Sequence, residues 1–169
     1  MKKTVLRYGL ISAAVAVVVM LFTVNFLDRV GYGTTDVVGY SAMVVSALLV
    51  YFGVRAYRQQ EGAGRLSFGR GLAVGLMITA VSALCQVVAF QVVYFGVAPD
   101  FGERFAACMV ERARDGGASD AEIVKTAQRA RELKRLYDTP LGNAALTFAQ
   151  PLPIGLVAAA ISAALLRKK

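Results

Sequence analysis

Charged residues leave four long gaps in this chain. No Asp, Glu, Lys or Arg occurs from 8 to 27, 37 to 54, 71 to 99 or 139 to 166, runs of 20, 18, 29 and 28 residues. A hydrocarbon core of about 30 Å needs about 20 apolar residues of helix at 1.5 Å rise, with roughly 17–25 in use. Every run is long enough. A buried helix in a soluble protein seldom goes this far without a charge, and four such runs in 169 residues point to lipid. The composition agrees: 57% of residues are hydrophobic and the mean hydropathy is +0.56. The expected fold class is all-α, one membrane domain over 1–169 with spans at about 8–27, 38–57, 70–97 and 144–166. Lys2, Lys3 and Arg7 resemble the start of a signal peptide, but the apolar run that follows is longer than a usual h-region. Bulky Asn25-Phe26-Leu27 stands where a cleavage site needs small residues, so the first span is expected to stay uncleaved.

Basic residues set the expected orientation. The N-terminus, the loop carrying Arg55, Arg58, Arg65 and Arg70, and the C-terminal Arg167, Lys168 and Lys169 hold ten basic residues against one acid, Glu61. The loop with Asp28, Arg29 and Asp36 is net negative, and the segment 100–138 balances eight basic against eight acidic residues. Positive charge beside span ends stays in the cytoplasm, so both termini are expected inside and 100–138 outside, in an inner-membrane protein. The net charge of +8 is then a topology signal that calls for no nucleic acid.

Local signals refine this outline. Gly31-Tyr32-Gly33 reads as the breaker between spans one and two, and Glu61-Gly62-Ala63-Gly64 as a flexible inside turn. Ser67 is placed to cap span three, Pro99 to end it, and Pro151 and Pro153 to bend span four after a helical approach over 141–150. The segment 100–138 reads as an extracytoplasmic helical hairpin between spans three and four. Asp100-x-x-Glu103 and Ser119-x-x-Glu122 have capping-box spacing, and Gly116-Gly117 separates the two helices. Phe101, Phe105 and Met109 form the expected buried stripe of the first helix, and Ile123, Ala127, Ala130, Leu133 and Tyr137 that of the second.

Candidate functional residues fall into three groups. Small residues repeat every fourth position at Gly71, Gly75, Thr79 and Ala83, and again at Gly155, Ala159 and Ala163. Ser12 with Ala16 and Ala42 with Ser46 repeat the spacing, which lets helix backbones approach closely, within the bundle or across a homodimer. Gln86, Gln91 and Tyr94 are the polar side chains of span three, either interhelical glue or the lining of a polar path. Arg129, Arg131, Lys134 and Arg135 give the second hairpin helix a basic character suited to a partner or a lipid headgroup.

The exclusions are as informative. With no histidine and only Cys85 and Cys108, far apart in expected depth, the chain offers no zinc or haem ligand set and no disulfide framework. It has no phosphate-binding glycine loop and no histidine base for a nucleophile, so neither enzyme nor cofactor is expected. No Asp, Glu, Lys, Arg or His lies within the four charge-free runs at the heart of the spans, which argues against a proton-coupled carrier. The leading expectation is a non-enzymatic scaffold binding a membrane partner or a second copy. The alternative is a small translocator of a lipid-linked or amphipathic substrate, an analogy of architecture only.

Several segments also carry a resemblance. They are the opening 1–12, Tyr51-Phe52-Gly53-Val54-Arg55-x-Tyr57-Arg58, Ser67-Phe68-Gly69-Arg70 leading into Gly71 and Gly75, and Pro99-Asp100-Phe101. Gly117-Ala118-Ser119-x-Ala121-Glu122 and Pro153-Ile154-Gly155-Leu156 through Leu166-Arg167-Lys168-Lys169 follow in order. Together they resemble a family of small bacterial inner-membrane proteins known only as a domain of unknown function. The resemblance implies the location and supplies no activity, substrate or functional residue.

Overall fold

The structure is a computed structural model that describes residues 2–60 and 65–167, with the backbone alone described at 23–40, 42 and 43. Its regular elements are all helical: α1 Lys2–Gln60, α2 Phe68–Val92, α3 Phe101–Asp115, α4 Asp120–Tyr137, α5 Pro140–Ala149 and α6 Leu152–Leu166. A π-helical turn, Val93–Val97, extends α2. Three stretches among the described residues are long and apolar enough to cross a membrane: Lys2–Phe22, Phe68–Val97 and Pro140–Leu166, of 21, 30 and 27 residues. Their outward faces are apolar, with Leu84, Val88, Val92, Val157, Ile161 and Leu165 all exposed, as lipid contact requires and water disfavours.

The helix α1 doubles back on itself. Ser12 and Ser46 are 34 positions apart, about 51 Å along a straight helix, yet their hydroxyls lie 3.4 Å from each other. Gly53 meets Tyr8 in the same way, where a Cβ added to the glycine would sit 3.2 Å from the tyrosine Cβ. The reversal therefore falls between Ser12 and Ser46. The expected breaker Gly31-Tyr32-Gly33 belongs to that stretch and lies outside the described side chains, and the turn at Glu61–Gly64 lies outside the described residues. The two arms of α1 pack with α2 and α6 around Val5, Val50, Val54, Val74, Ile78, Ala158 and Ala159.

Caps and breaks account for the element ends. The Ser67 hydroxyl accepts from the Arg70 N–H at 3.4 Å, satisfying one of the free amides that open α2. At the other end the Ala98 N–H reaches back to the Val93 carbonyl at 2.8 Å, a five-residue step, and Ala98 leaves the helical region at φ −135° and ψ 70°, as the residue before Pro99 is disfavoured there. The turn from α3 to α4 is a Schellman motif. Ala118 N–H bonds the Ala113 carbonyl at 3.0 Å, Gly117 N–H bonds that of Arg114 at 2.9 Å, and Gly117 takes the left-handed φ of 74° that this motif assigns to glycine. Glu122 then reaches back to the Ser119 N–H at 2.9 Å and accepts the Ser119 hydroxyl at 2.8 Å. Those two donors hold the Glu122 carboxyl below the usual carboxylate range.

The capping box expected at Asp100 does not form. Asp100 has helical backbone angles and makes no side-chain cap bond. Its carboxylate instead pairs with Arg104 at 3.1 Å, one turn along the helix, where a guanidinium competes better than an exposed amide. Phe105, expected in the buried stripe, is 38% exposed and stacks on Phe101 at 6.0 Å. The stripe of α4 is turned inward at all five of its positions, with Ala130 fully covered. Thr139 caps α5, accepting from the Gly142 N–H at 3.2 Å, with Pro140 in the first helical position where its missing N–H costs nothing. Pro151 separates α5 from α6, and α5 leans onto α2 and α4.

Candidate functional site

The small residues of α2 and α6 meet in one seam. An added Cβ at Gly71 would touch Ala163 at 3.0 Å, one at Gly75 would lie 2.6 Å from the Ala159 Cβ, and one at Gly155 would collide with the Thr79 side chain. All seven residues of the two stripes are buried. The pairing order, Gly71 with Ala163, Gly75 with Ala159 and Thr79 with Gly155, shows antiparallel helices at backbone contact within one chain. The Thr79 hydroxyl is satisfied by the Gly75 carbonyl at 3.1 Å.

Above this seam the helices diverge around a cavity of about 430 Å³. Its inner end is walled by Ala47, Val50, Thr79, Gly155 and Ala158, and its outer end by Phe90, Tyr94, Phe101, Phe105, Lys134 and Tyr137. Both arms of α1 and all the later helices contribute, with α3 and α4 forming the roof. Thr79 and Tyr94 are fifteen residues apart on one continuous helical run, so the cavity extends over about 22 Å of rise.

Polar groups enter the wall at chosen heights. A ladder of hydrogen bonds crosses three helical segments: Gln86 Nε2 to Ser82 at 3.5 Å, Ser82 to Ser12 at 3.3 Å, and Ser12 to Ser46 at 3.4 Å. Gln86 and Ser46 border the cavity. Gln91 does not: its amide donates to the Pro140 carbonyl at 2.6 Å and ties α2 to the start of α5. Thr147 borders the cavity, is 7% exposed, and its hydroxyl has no hydrogen-bond partner. One turn earlier Asn143, fully buried, donates to the Tyr137 carbonyl at 3.2 Å while its own amide oxygen is also unpaired.

The roof is latched at the outer end. Tyr94 O–H donates to Asp138 Oδ1 at 2.7 Å, and Lys134 Nζ donates to Asp138 Oδ2 at 2.9 Å, with Glu103 4.0 Å from the same ammonium. The Lys134 bond, then the Tyr94 bond, hold the Asp138 carboxyl below its ordinary range, and the Asp138 bond raises the Lys134 ammonium. Gly102 lets the latch close, because an added Cβ would strike the Tyr94 hydroxyl and meet the Lys134 stem at 3.5 Å. Aromatic rings surround it: Phe90 packs on Tyr94, Phe101 and Tyr137 with centroids 5.6, 5.9 and 6.0 Å apart.

The basic group of α4 divides. Lys134 faces the cavity, whereas Arg129, Arg131 and Arg135 are exposed. At about 100° per residue, Arg129 flanks one side of the buried stripe, and Arg131 and Arg135 lie beyond the other. The four therefore share no single face. Of the three polar residues grouped on span three, the structure brings Gln86 and Tyr94 to the cavity and sends Gln91 elsewhere. Sequence reasoning missed Asn143 and Thr147, although a polar pair four positions apart in an apolar run was the available signal.

These features define an all-helical chain, over its described residues, with membrane-span-like helices packed around an elongated cavity. The chain belongs to the family described as "Protein of unknown function (DUF4199)", which matches residues 7–168. No curated protein and no solved structure matches it.

Proposed function

We propose that this is a four-span bacterial inner-membrane protein that holds a single-chain amphiphile in its bundle cavity, with α3 and α4 as an extracytoplasmic lid. The observation that carries the reading is the cavity's shape: about 22 Å long, about 430 Å³ in volume, and walled mostly by apolar side chains. Ligand pockets occupy roughly 300–1,000 Å³ and combine apolar walls with a few placed polar groups. An elongated, mostly apolar cavity of that length suits an extended hydrocarbon chain. The unpaired Thr147 hydroxyl supports the reading, since a buried polar group without a partner costs about 1–3 kcal/mol and an oxygen-bearing ligand would relieve it. The second arm of α1 supplies the fourth span. Its charge-free stretch 37–54 runs antiparallel to the first arm, which returns the chain to the side of its N-terminus.

The lid is read as outward from charge, since 100–138 is balanced whereas the N-terminus, the 55–70 loop and the C-terminal tail hold ten basic residues against one acid in the sequence. The roof is also more elaborate than a connection needs. Helix pairs in bundles join through roughly 2–8 residues, whereas this one is two helices joined by a tight turn, the second capped at Ser119, and latched to the α2 extension by Tyr94. The protein is read as a carrier or presenter of its ligand without chemistry of its own. The test is to purify the chain in nanodiscs and identify retained molecules by mass spectrometry. Wild type is expected to retain a single-chain amphiphile in near-stoichiometric amount, and Ala16→Phe, which fills the cavity wall, is expected to lose it. Equal retention by the variant, or only bulk bilayer lipids from both, contradicts the reading.

A further inference from the structure

We infer that Lys134 recognises the headgroup of that amphiphile and selects an anionic oxygen group, a carboxylate or a phosphate monoester, at the cavity's outer end. This rests on the cavity reading above and adds the chemistry of the head. Among the described residues that wall the cavity, Lys134 is the one with a formal charge. Its partners lie on the water side: the Glu103 side chain is 75% exposed and that of Asp138 45%, against 31% for Lys134. The Lys134 side chain lines the outer end of the cavity, and its ammonium stands at the mouth, 2.9 Å from Asp138 and 4.0 Å from Glu103.

The ammonium has donors to spare. Lys carries three N–H groups; one goes to Asp138 at 2.9 Å, and Glu103 at 4.0 Å lies beyond hydrogen-bond reach. An arriving anion therefore needs no existing bond to break. If Lys134 does turn away, Asp138 is not orphaned, because Tyr94 holds its other oxygen at 2.7 Å. Asp138 and Tyr94 thus act as positioning residues, fixing the lysine at the mouth before the ligand arrives. The rings of Phe90, Phe101 and Tyr137 crowd the same mouth and would flank the first methylenes below the head. A neutral headgroup would accept only an ordinary hydrogen bond from the ammonium, weaker than the charge-assisted bond an anionic oxygen makes.

The experiment uses the full chain in nanodiscs of zwitterionic lipid, with three probes of one chain length: hexadecanoic acid, hexadecyl phosphate and hexadecanol. Each competes with a radiolabelled single-chain probe. Wild type is expected to bind at least one of the two anions about tenfold more tightly than the alcohol, as a charge-assisted hydrogen bond warrants. Which anion wins identifies the head as carboxylate or phosphate. Lys134→Gln is expected to bring the affinities of the anions and the alcohol to within about twofold of each other, and Lys134→Arg to keep the preference. The inference is overturned if the alcohol matches both anions in wild type, or if Lys134→Gln keeps the full preference. Failure of the underlying cavity reading looks different: none of the three probes saturates, or Ala16→Phe weakens none of them.

Discussion

Replacing Gly75 by alanine tests the packing at the base of the cavity through the sign of its effect. An added Cβ would lie 2.6 Å from the Ala159 Cβ and 3.0 Å from its Cα, whereas carbon atoms prefer about 3.5–4.0 Å. The helices α2 and α6 would have to separate by roughly 1 Å, loosening the contacts at Gly71–Ala163 and Thr79–Gly155 on either side. Overpacking of this kind costs about 1–3 kcal/mol. Against it stands the helix-propensity gain of alanine over glycine, about 0.8–1 kcal/mol. The net expectation is a loss of about 1 kcal/mol or more. Were Gly75 to face lipid, only the gain would remain and the variant would be stabilised. The double variant Gly75→Ala with Ala159→Gly removes the nearer clash and leaves the 3.0 Å contact with the Cα, so it is expected to recover part of the loss in excess of additivity. Thermal unfolding of the four proteins in one detergent reads all of this. A stabilised single variant, or no coupling between the two sites, refutes the seam.

Further expectations concern the lid and the topology. Gly102→Ala should displace the Tyr94 hydroxyl from Asp138 and speed amide exchange over the junction of α4 and α5, an effect that Tyr94→Phe should reproduce; unchanged exchange in both would contradict the latch. Asp138 is held below its unfolded pKa, so its contribution is present above about pH 4 and is lost as pH falls through the depressed value. Lys134 is raised, so its contribution is lost only as pH climbs past the ordinary lysine range. Protection at Asn143 should therefore fall on acidification in the parent and stay flat in Asp138→Asn. Ser119→Ala should fray the start of α4, costing about 0.5–2 kcal/mol locally, as read by exchange at 120–123. A cysteine at the exposed position Asp115 should react with an impermeant thiol reagent on intact spheroplasts; labelling only after permeabilisation would invert the topology.

Legibility in the sequence followed the physics of each element. The ends of α2 and the break before α6 could be read because their causes are local: the Ser67 cap, Pro99 and the Pro151 bend. The Gly116-Gly117 turn was readable for the same reason. Asp100 misled because spacing alone cannot say whether a carboxylate will bond a backbone amide or the guanidinium one turn away. The π-helical turn left no compositional trace in Val93-Tyr94-Phe95-Gly96-Val97, although it precedes the lid. The cavity was not readable at all, since a void is a property of how helices diverge and not of any residue. Lys134 illustrates the difference: its charge grouped it with Arg129, Arg131 and Arg135, while its angular position placed it with Ala130 and Tyr137 on the inner face.

The most direct measurement of the central claim is photo-crosslinking with a hexadecyl chain that carries a diazirine at its midpoint, followed by mapping of the adducts by mass spectrometry. The helices α2 and α6 present a cavity face and an outer face from the same segments, so the two can be compared within one peptide. Adducts are expected at Gln86, Phe90, Thr147 and Ile154, which wall the cavity, and are expected to be lost when excess unlabelled chain is added. Non-saturable adducts confined to the outward Leu84, Val88, Val157 and Ile161 would show the chain only in the surrounding lipid and would contradict the account.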